Sequence, residues 1–207
     1  DTSEFAPRSQ TGYLHRELRL RDDALLLGSI GQIGMRKGLD VLLEAMPIIL
    51  AAHPNAHLLL VGQRTSNKEE AMRFEEALRA DASQTELAGH VHFLGYREDT
   101  AALLNELTLL VHAARQEPLG RVLLEAAASG TAILATDVGG TREILDDSCG
   151  VIVPPDDAAA IASNVTRLLD DPNLMVKQAE AARNRMKKRF DITQSAAALL
   201  QHYRALL

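Results

Sequence analysis

Residues 109–145 read LLVHAARQEPLGRVLLEAAASGTAILATDVGGTREIL. The apolar run at 107–112 has the length and the aliphatic content of a buried strand. A polar turn, Arg115-Gln116-Glu117-Pro118, ends it, and the spacing predicts a helix over about 119–129 with Gly130 as its stop. Proline near a helix start gives up an N–H that is not needed there. Glycine just past the end accepts a positive φ. A second apolar run at 131–135 is the next strand, and Gly139-Gly140 opens another turn into a helix. Strand, loop, helix, strand is the unit from which α/β folds with parallel sheets are built.

Two carboxylates bracket the helix start. Glu117 belongs to the loop at the carboxyl end of a strand, the edge on which open α/β sheets bind ligands. Glu125 lies further into the helix, roughly 7–8 Å along its axis at ~1.5 Å per residue. Between them, the amides of Leu119, Gly120, Arg121 and Val122 form the unpaired first turn, which favours an anion. A nucleoside diphosphate sugar would meet these features in order, with sugar hydroxyls at Glu117, diphosphate at the helix start and the ribose diol at Glu125. A carboxylate can accept from both hydroxyls of a vicinal diol. On spacing alone, Glu117 serves equally as a complement to the positive helix end. For Glu125 a solvated face is disfavoured. Val122, Leu123, Leu124, Ala126, Ala127 and Ala128 make the helix apolar nearly all round. Such a helix is buried, and a buried carboxylate needs a partner.

The rest of the chain repeats the alternation. Strands are predicted at 24–30, 57–61, 90–94 and 149–153. Helices are predicted at about 39–52, 67–87, up to 105, up to 169 from a cap at Asp156 or Asp157, 172–189, and 192–207. Val41, Leu42, Ala45, Ile48 and Ile49 form the stripe of the first long helix, and Met72, Leu78 and Leu87 are the inward positions of the second. The turn after the first strand is rich in glycine and carries Gln32, Arg36 and Lys37, as a phosphate site would. It lacks the G-x-G-x-x-G spacing, the second strand ends in Gly62-Gln63-Arg64 without an acidic ribose ligand, and there is no Walker A sequence. Nicotinamide and P-loop readings therefore weaken. His90 and His92 share a strand face, but no third ligand is evident and no metal site is expected. The loops after the first five strands each contain a cation, Lys37, Arg64, Arg97, Arg115 and Arg142. Acidic residues such as Asp99 and Asp137 lie there too, so the edge is mixed, yet it offers a landing site for an anion on an acidic protein.

The chain has 207 residues, 46% hydrophobic and 24% charged, enough for one domain with a sizeable core. A formal net charge of −6 argues against a nucleic-acid surface. The single cysteine, Cys149, excludes an intrachain disulfide and a cysteine-based metal site, and points to a reducing compartment, the cytoplasm. No apolar run reaches the roughly 18 residues of a membrane span, and the start shows no signal-peptide pattern.

Glu117-Pro118-x-Gly120, Glu125-Ala126, Gly130, Asp137-Val138-Gly139-Gly140 and Glu143 resemble the group 1 (family 4) retaining glycosyltransferases. The two glutamates are separated by seven residues, as in that family's paired-glutamate motif. The likeness extends over nearly the whole chain and only to the second half of such an enzyme. It implies the C-terminal, donor-binding domain of a GT-B fold, a Rossmann-like parallel sheet of about six strands with helices on both faces. It divides the chain into a lead-in at 1–22 that follows an interdomain linker, a nucleotide-sugar-binding domain at 23–190, and a final helix at 191–207 that crosses back to an N-terminal domain. Alone, that helix would lay Ile192, Ala196, Leu199, Leu200, Tyr203, Leu206 and Leu207 on its own domain or on a second copy, forming a dimer.

The implied reaction moves a hexosyl group from a nucleotide-diphosphate sugar to a hydroxyl acceptor with retained anomeric configuration, without a metal or other cofactor. The resemblance makes Glu117 and Lys37 the catalytic pair. Glu117 would orient the donor sugar and favour positive charge at its anomeric carbon. Lys37, Gln32 and the amides of 119–122 would hold the departing diphosphate. Glu125 would hold the ribose, and Tyr96 and Arg97 would border the base. Gln32 stands where the family usually has arginine, which shifts the charge onto Lys37, the helix start, Arg36 or Arg121. Ala113-Ala114 replace the usual Pro-Ser. The expected partners are a nucleotide sugar and the N-terminal domain, without which the fragment would bind nucleotide and turn over poorly. Neither nucleic acid nor a membrane span is expected, and membrane-surface association of the full enzyme stays open. The alternatives are a non-catalytic nucleotide-binding module, or an epimerase or phosphorylase of similar fold.

Overall fold

The computed structural model describes residues 1–84 and 86–205. Six strands form one sheet: β1 (Leu25–Ile30), β2 (Ala56–Val61), β3 (Val91–Gly95), β4 (Leu109–His112), β5 (Ile133–Thr136) and β6 (Val151–Val153). Every pairing is parallel, in the order β3-β2-β1-β4-β5-β6. The order reverses between β1 and β4. In such doubly wound sheets the crevice outside the carboxyl ends at that point is where ligands lie.

Strands covered on both faces must be apolar nearly throughout, and these are. Leu27, Leu58, Leu60, Leu109 and Val111 face one core layer with α2 (Leu39–Ala52), α3 (Glu69–Ala82) and α7 (Ala158–Asp170). Leu26, Leu59, Val61 and Leu110 face the other, with α1 (Tyr13–Leu18), α4 (Thr100–Glu106), α5 (Arg121–Ser129), α6 (Thr141–Ile144) and much of α8 (Pro172–Arg189). Asp157, not Asp156, caps α7, accepting from Ala160 N at 2.8 Å, and Asp171 caps α8 from Leu174 N at 3.0 Å. The lead-in packs on the second layer. Leu14 is fully buried, and the buried carboxylate of Glu106 accepts from Thr11 N (2.6 Å), Thr11 Oγ1 (2.7 Å) and Gly12 N (2.8 Å).

Several boundaries and faces differ from the sequence expectation. α3 stops at Ala82, where the Ser83 hydroxyl turns back to the carbonyls of Arg79 and Ala80. Met72 and Ile48 are exposed, whereas Leu78 and Leu87 are buried. α5 begins at Arg121 because Gly120 adopts a left-handed conformation, φ 82°. In the final helix, α9 (Ile192–Ala205), Ile192, Leu199, Leu200 and Tyr203 are exposed, so that apolar face is not folded onto this domain. Leu206 and Leu207 lie outside the described residues. Among the described residues, no helix is long and apolar enough to cross a membrane.

Candidate functional site

A cleft of about 890 Å³ opens at the carboxyl ends of β1, β2 and β3 and at the start of α5. Gln32, Lys37, Arg97, Glu117, Leu119, Gly120, Arg121, Val122 and Glu125 all line it. So do Gly62, Gln63 and Thr65 after β2, and Glu4 and Phe5 from the lead-in, which spacing did not single out.

Glu117 is held from both sides. The backbone N–H groups of Arg115 and Gln116 donate to Arg36 O at 2.8 and 3.2 Å. Gly140 N donates to the carbonyls of Glu117 (3.3 Å) and Pro118 (3.1 Å). Gly139, at φ 48°, rests so closely on this loop that a Cβ there would stand 1.9 Å from Glu117 O. The side chain is 14% exposed. Its Oε1 accepts from Gly120 N at 3.1 Å, and Lys37 Nζ donates to Oε2. His112 Nε2 lies 3.4 Å from the same Oε2, without the alignment of a formed hydrogen bond. His112 first, and then Lys37, hold the Glu117 carboxyl down at about 2 against the upward push of burial. The helix mouth is thus partly closed by Glu117 itself. The amides of Arg121 and Val122 meet no acceptor among the described residues.

Glu125 is half-buried in the cleft wall and has no hydrogen-bond partner among the described residues. Burial raises its carboxyl pKa, and nearby Arg121 opposes the rise. A half-buried carboxylate of this kind retains unused accepting capacity.

The edge carries both signs, as the acidic residues expected among its five cations imply, and every one of the five is paired. Lys37 is paired with Glu117, Arg64 with Glu75 (3.0 Å), Arg97 with Glu17 (2.6 Å) and Asp99 (2.8 Å), Arg115 with Asp40 (2.8 Å) and Asp156, and Arg142 with Asp137 (2.8 Å). Among the described residues near the cleft, the guanidinium groups of Arg36 and Arg121 make no ion pair or hydrogen bond. Arg36 lines an adjoining hollow with Gln32, Lys37, Gln116 and Glu117. Gln32 donates its amide to Thr65 Oγ1. Arg97 turns its guanidinium into a network that Tyr13 completes by donating to Asp99 at 2.8 Å. Arg97 holds the Asp99 carboxyl at about 2, and burial raises the Tyr13 phenol. The adjoining Tyr96 ring stays exposed on the cleft wall.

His90 and His92 close on a third histidine at the amino ends of β2 and β3. His92 Nε2 meets His57 Nδ1 at 3.1 Å, the His90 ring stacks on His57 with centroids 4.9 Å apart, and His90 Nδ1 meets Ala56 O at 2.9 Å. Among the described residues, no group of three His, Cys, Asp or Glu is arranged to hold a metal ion.

The family model for glycosyl transferases group 1 matches residues 13–185. The chain belongs to this family. A glycogen synthase of Mycobacterium tuberculosis is 32% identical over 179 residues, covering 85% of this chain and 41% of the relative. The lipopolysaccharide core biosynthesis mannosyltransferase LpcC of Rhizobium leguminosarum bv. viciae is 31% identical over 183 residues, 88% of this chain and 51% of the relative. The crystal structure of the C-terminal domain of LpcC from Francisella tularensis superposes with a TM-score of 0.81 at 26% identity, covering 93% of this chain and 98% of that one. The chain spans about half the length of these curated relatives. The chain therefore has the Rossmann-like sheet of the C-terminal half of a GT-B fold.

Proposed function

We propose that this domain holds the nucleotide sugar in a retaining glycosyltransferase that moves a hexosyl group to a hydroxyl acceptor. The carrying observation is that Glu117 and Glu125 face one cleft at the sheet's switch point, with the first turn of α5 between them. In this reading the diphosphate lies against the amides of Arg121 and Val122. Lys37, Arg121 and Arg36 neutralise it, Arg36 supplying charge that Gln32 lacks. Glu125 accepts from the ribose hydroxyls. Glu117, ionised at any physiological pH, faces the sugar and stabilises positive charge developing at the anomeric carbon as the bond to the diphosphate breaks. Groups set in advance against developing charge are the main electrostatic part of catalysis. The cations and the helix start do the work of a metal, and none is needed. Relatives named glycogen synthase and mannosyltransferase support a hexosyl unit as the transferred group.

Transfer itself belongs, in this proposal, to a larger two-domain enzyme of the cytoplasm, with the domain alone binding donor and turning over slowly. Thermal shift and calorimetry of residues 1–207 with UDP, GDP and ADP, and with their hexose conjugates, test it. A ligand that binds only the folded state raises its melting temperature by mass action. One nucleotide should stabilise the domain, and its sugar conjugate should bind with a different affinity. No binding by any of them would overturn the proposal. Equal affinity for nucleotide and conjugate would favour a non-catalytic nucleotide-binding module.

A further inference from the structure

Glu117 Oε2 has two basic neighbours that both act on its charge, and only one of them makes a formed hydrogen bond to it. Lys37 Nζ donates to it, while His112 Nε2 stands 3.4 Å away. His112 is the last residue of β4, 3% exposed, and its Nε2 has no hydrogen-bond partner among the described residues. Its place is fixed by pairing opposite Ala135 of β5, and the Thr136 hydroxyl bridges the strand end, donating chiefly to Ala114 O with His112 O at 3.3 Å. A buried polar atom left unpaired is costly, about 1–3 kcal/mol, and native folds keep few of them without a use.

The two neighbours differ in what they do to the carboxylate. An ammonium in contact cancels its charge, so a Glu117 still paired to Lys37 has little left with which to stabilise a cationic anomeric carbon. A neutral imidazole can orient the carboxylate through one N–H and leave its full charge. Lys37 is also the cation that the diphosphate would draw towards itself.

We infer that His112 is a positioning residue that takes over Glu117 Oε2 when the diphosphate draws Lys37 away, donating from Nε2–H so that the carboxylate stays aimed at the sugar with its charge uncancelled. The inference rests on the reading of Glu117 and Lys37 given above. It makes Lys37 and His112 alternative partners of one carboxylate oxygen, the histidine serving when the lysine turns to the diphosphate.

Nitrogen-edited proton NMR of histidine-labelled residues 1–207, at mildly alkaline pH where histidines are ordinarily neutral, tests the inference without any nucleotide. Lys37→Met mimics departure of the cation at a partly exposed position. It should move the His112 Nε2–H resonance downfield and slow its exchange with water relative to the wild type. Adding Glu117→Ala to that variant should abolish the change. His112→Gln, which keeps a donor near the Nε2 position, should show a protected side-chain N–H in the Lys37→Met background when the protein is labelled on glutamine instead. An unmoved His112 resonance in Lys37→Met, or a shift that survives Glu117→Ala, would overturn the role of His112. Because no ligand is present, that result is distinct from a failure of UDP, GDP and ADP to bind, which would overturn the function instead.

Discussion

The two ends of the sheet hold similar polar side chains and treat them in opposite ways. At the amino end, His57, His90 and His92 are spent on one another and on the Ala56 carbonyl, while His15 meets the carbonyl of Ala24 through Nε2 and leaves Nδ1 unpartnered among the described residues. At the carboxyl end, Glu125, the amides of Arg121 and Val122, and His112 Nε2 lack internal partners, and a cleft of about 890 Å³ borders the first three of these groups. Groups that satisfy each other build structure, whereas unpartnered groups that border an open cleft are available to a ligand. That contrast, more than residue type, separates the histidine cluster from the candidate site.

Glu117→Gln should break the contrast most visibly. In the longer enzyme that carries this domain, the rate of sugar transfer should fall by about 10²–10³-fold, the scale for losing one preorganised electrostatic group. Initial rates at saturating donor are the measurement, and an unchanged rate would reduce Glu117 to a helix cap. Glu125→Ala comes next, weakening nucleotide binding by ~1–3 kcal/mol, as for lost charged hydrogen bonds. Calorimetry with the nucleotide that the screen identifies reads that loss directly, and the domain's melting temperature without ligand should hardly change.

Acid unfolding sharpens the comparison, because the two ends titrate in different windows. Glu117 has a folded pKa of about 2 against an ordinary 4.5. The unfolded chain binds the extra proton between those values, so its contribution to stability is complete above the ordinary value and is lost as pH falls through the folded one. His57 is lowered from 6.5 to about 4 by burial first, and then by His92 and His90. Here too the unfolded state binds more protons, so stability is lost as pH falls from 6.5 towards 4. After solvent screening, that loss is on the order of 1–2 kcal/mol, or about 2–4 °C in Tm per kcal/mol. Melting curves of His57→Leu should be flatter across the upper window and retain the loss in the lower one. Identical slopes in both proteins would show that the cluster carries no proton-linked cost.

The sheet was legible in the sequence because a parallel sheet covered on both faces demands unbroken aliphatic runs, and each of the six runs is a strand. Outer faces were less legible. Ile48 and Met72 keep helical spacing, and periodicity alone does not say where a stripe passes the rim of the core. Of the nine lining residues that share the cleft, those around the start of α5 were legible from turn chemistry and glutamate spacing, while Gln32 and Arg97 came from the family resemblance. The charge state of the edge was legible only in part: Asp99 and Asp137 share the loops of Arg97 and Arg142, whereas Glu17, Asp40, Glu75 and Asp156 come from other segments of the chain. His112 was hidden for a similar reason. A histidine closing an apolar run reads as strand, and only the loop's return brings Glu117 beside it.

The bare α-carbon of Gly139 acts as a shim beneath the carbonyl of Glu117. The height at which that acid stands above the sheet is set by a turn that no donor needs to touch, with a tolerance of one hydrogen atom. A survey that scores positions by proximity to a substrate would pass over it, although a single added methyl group would tilt the whole loop.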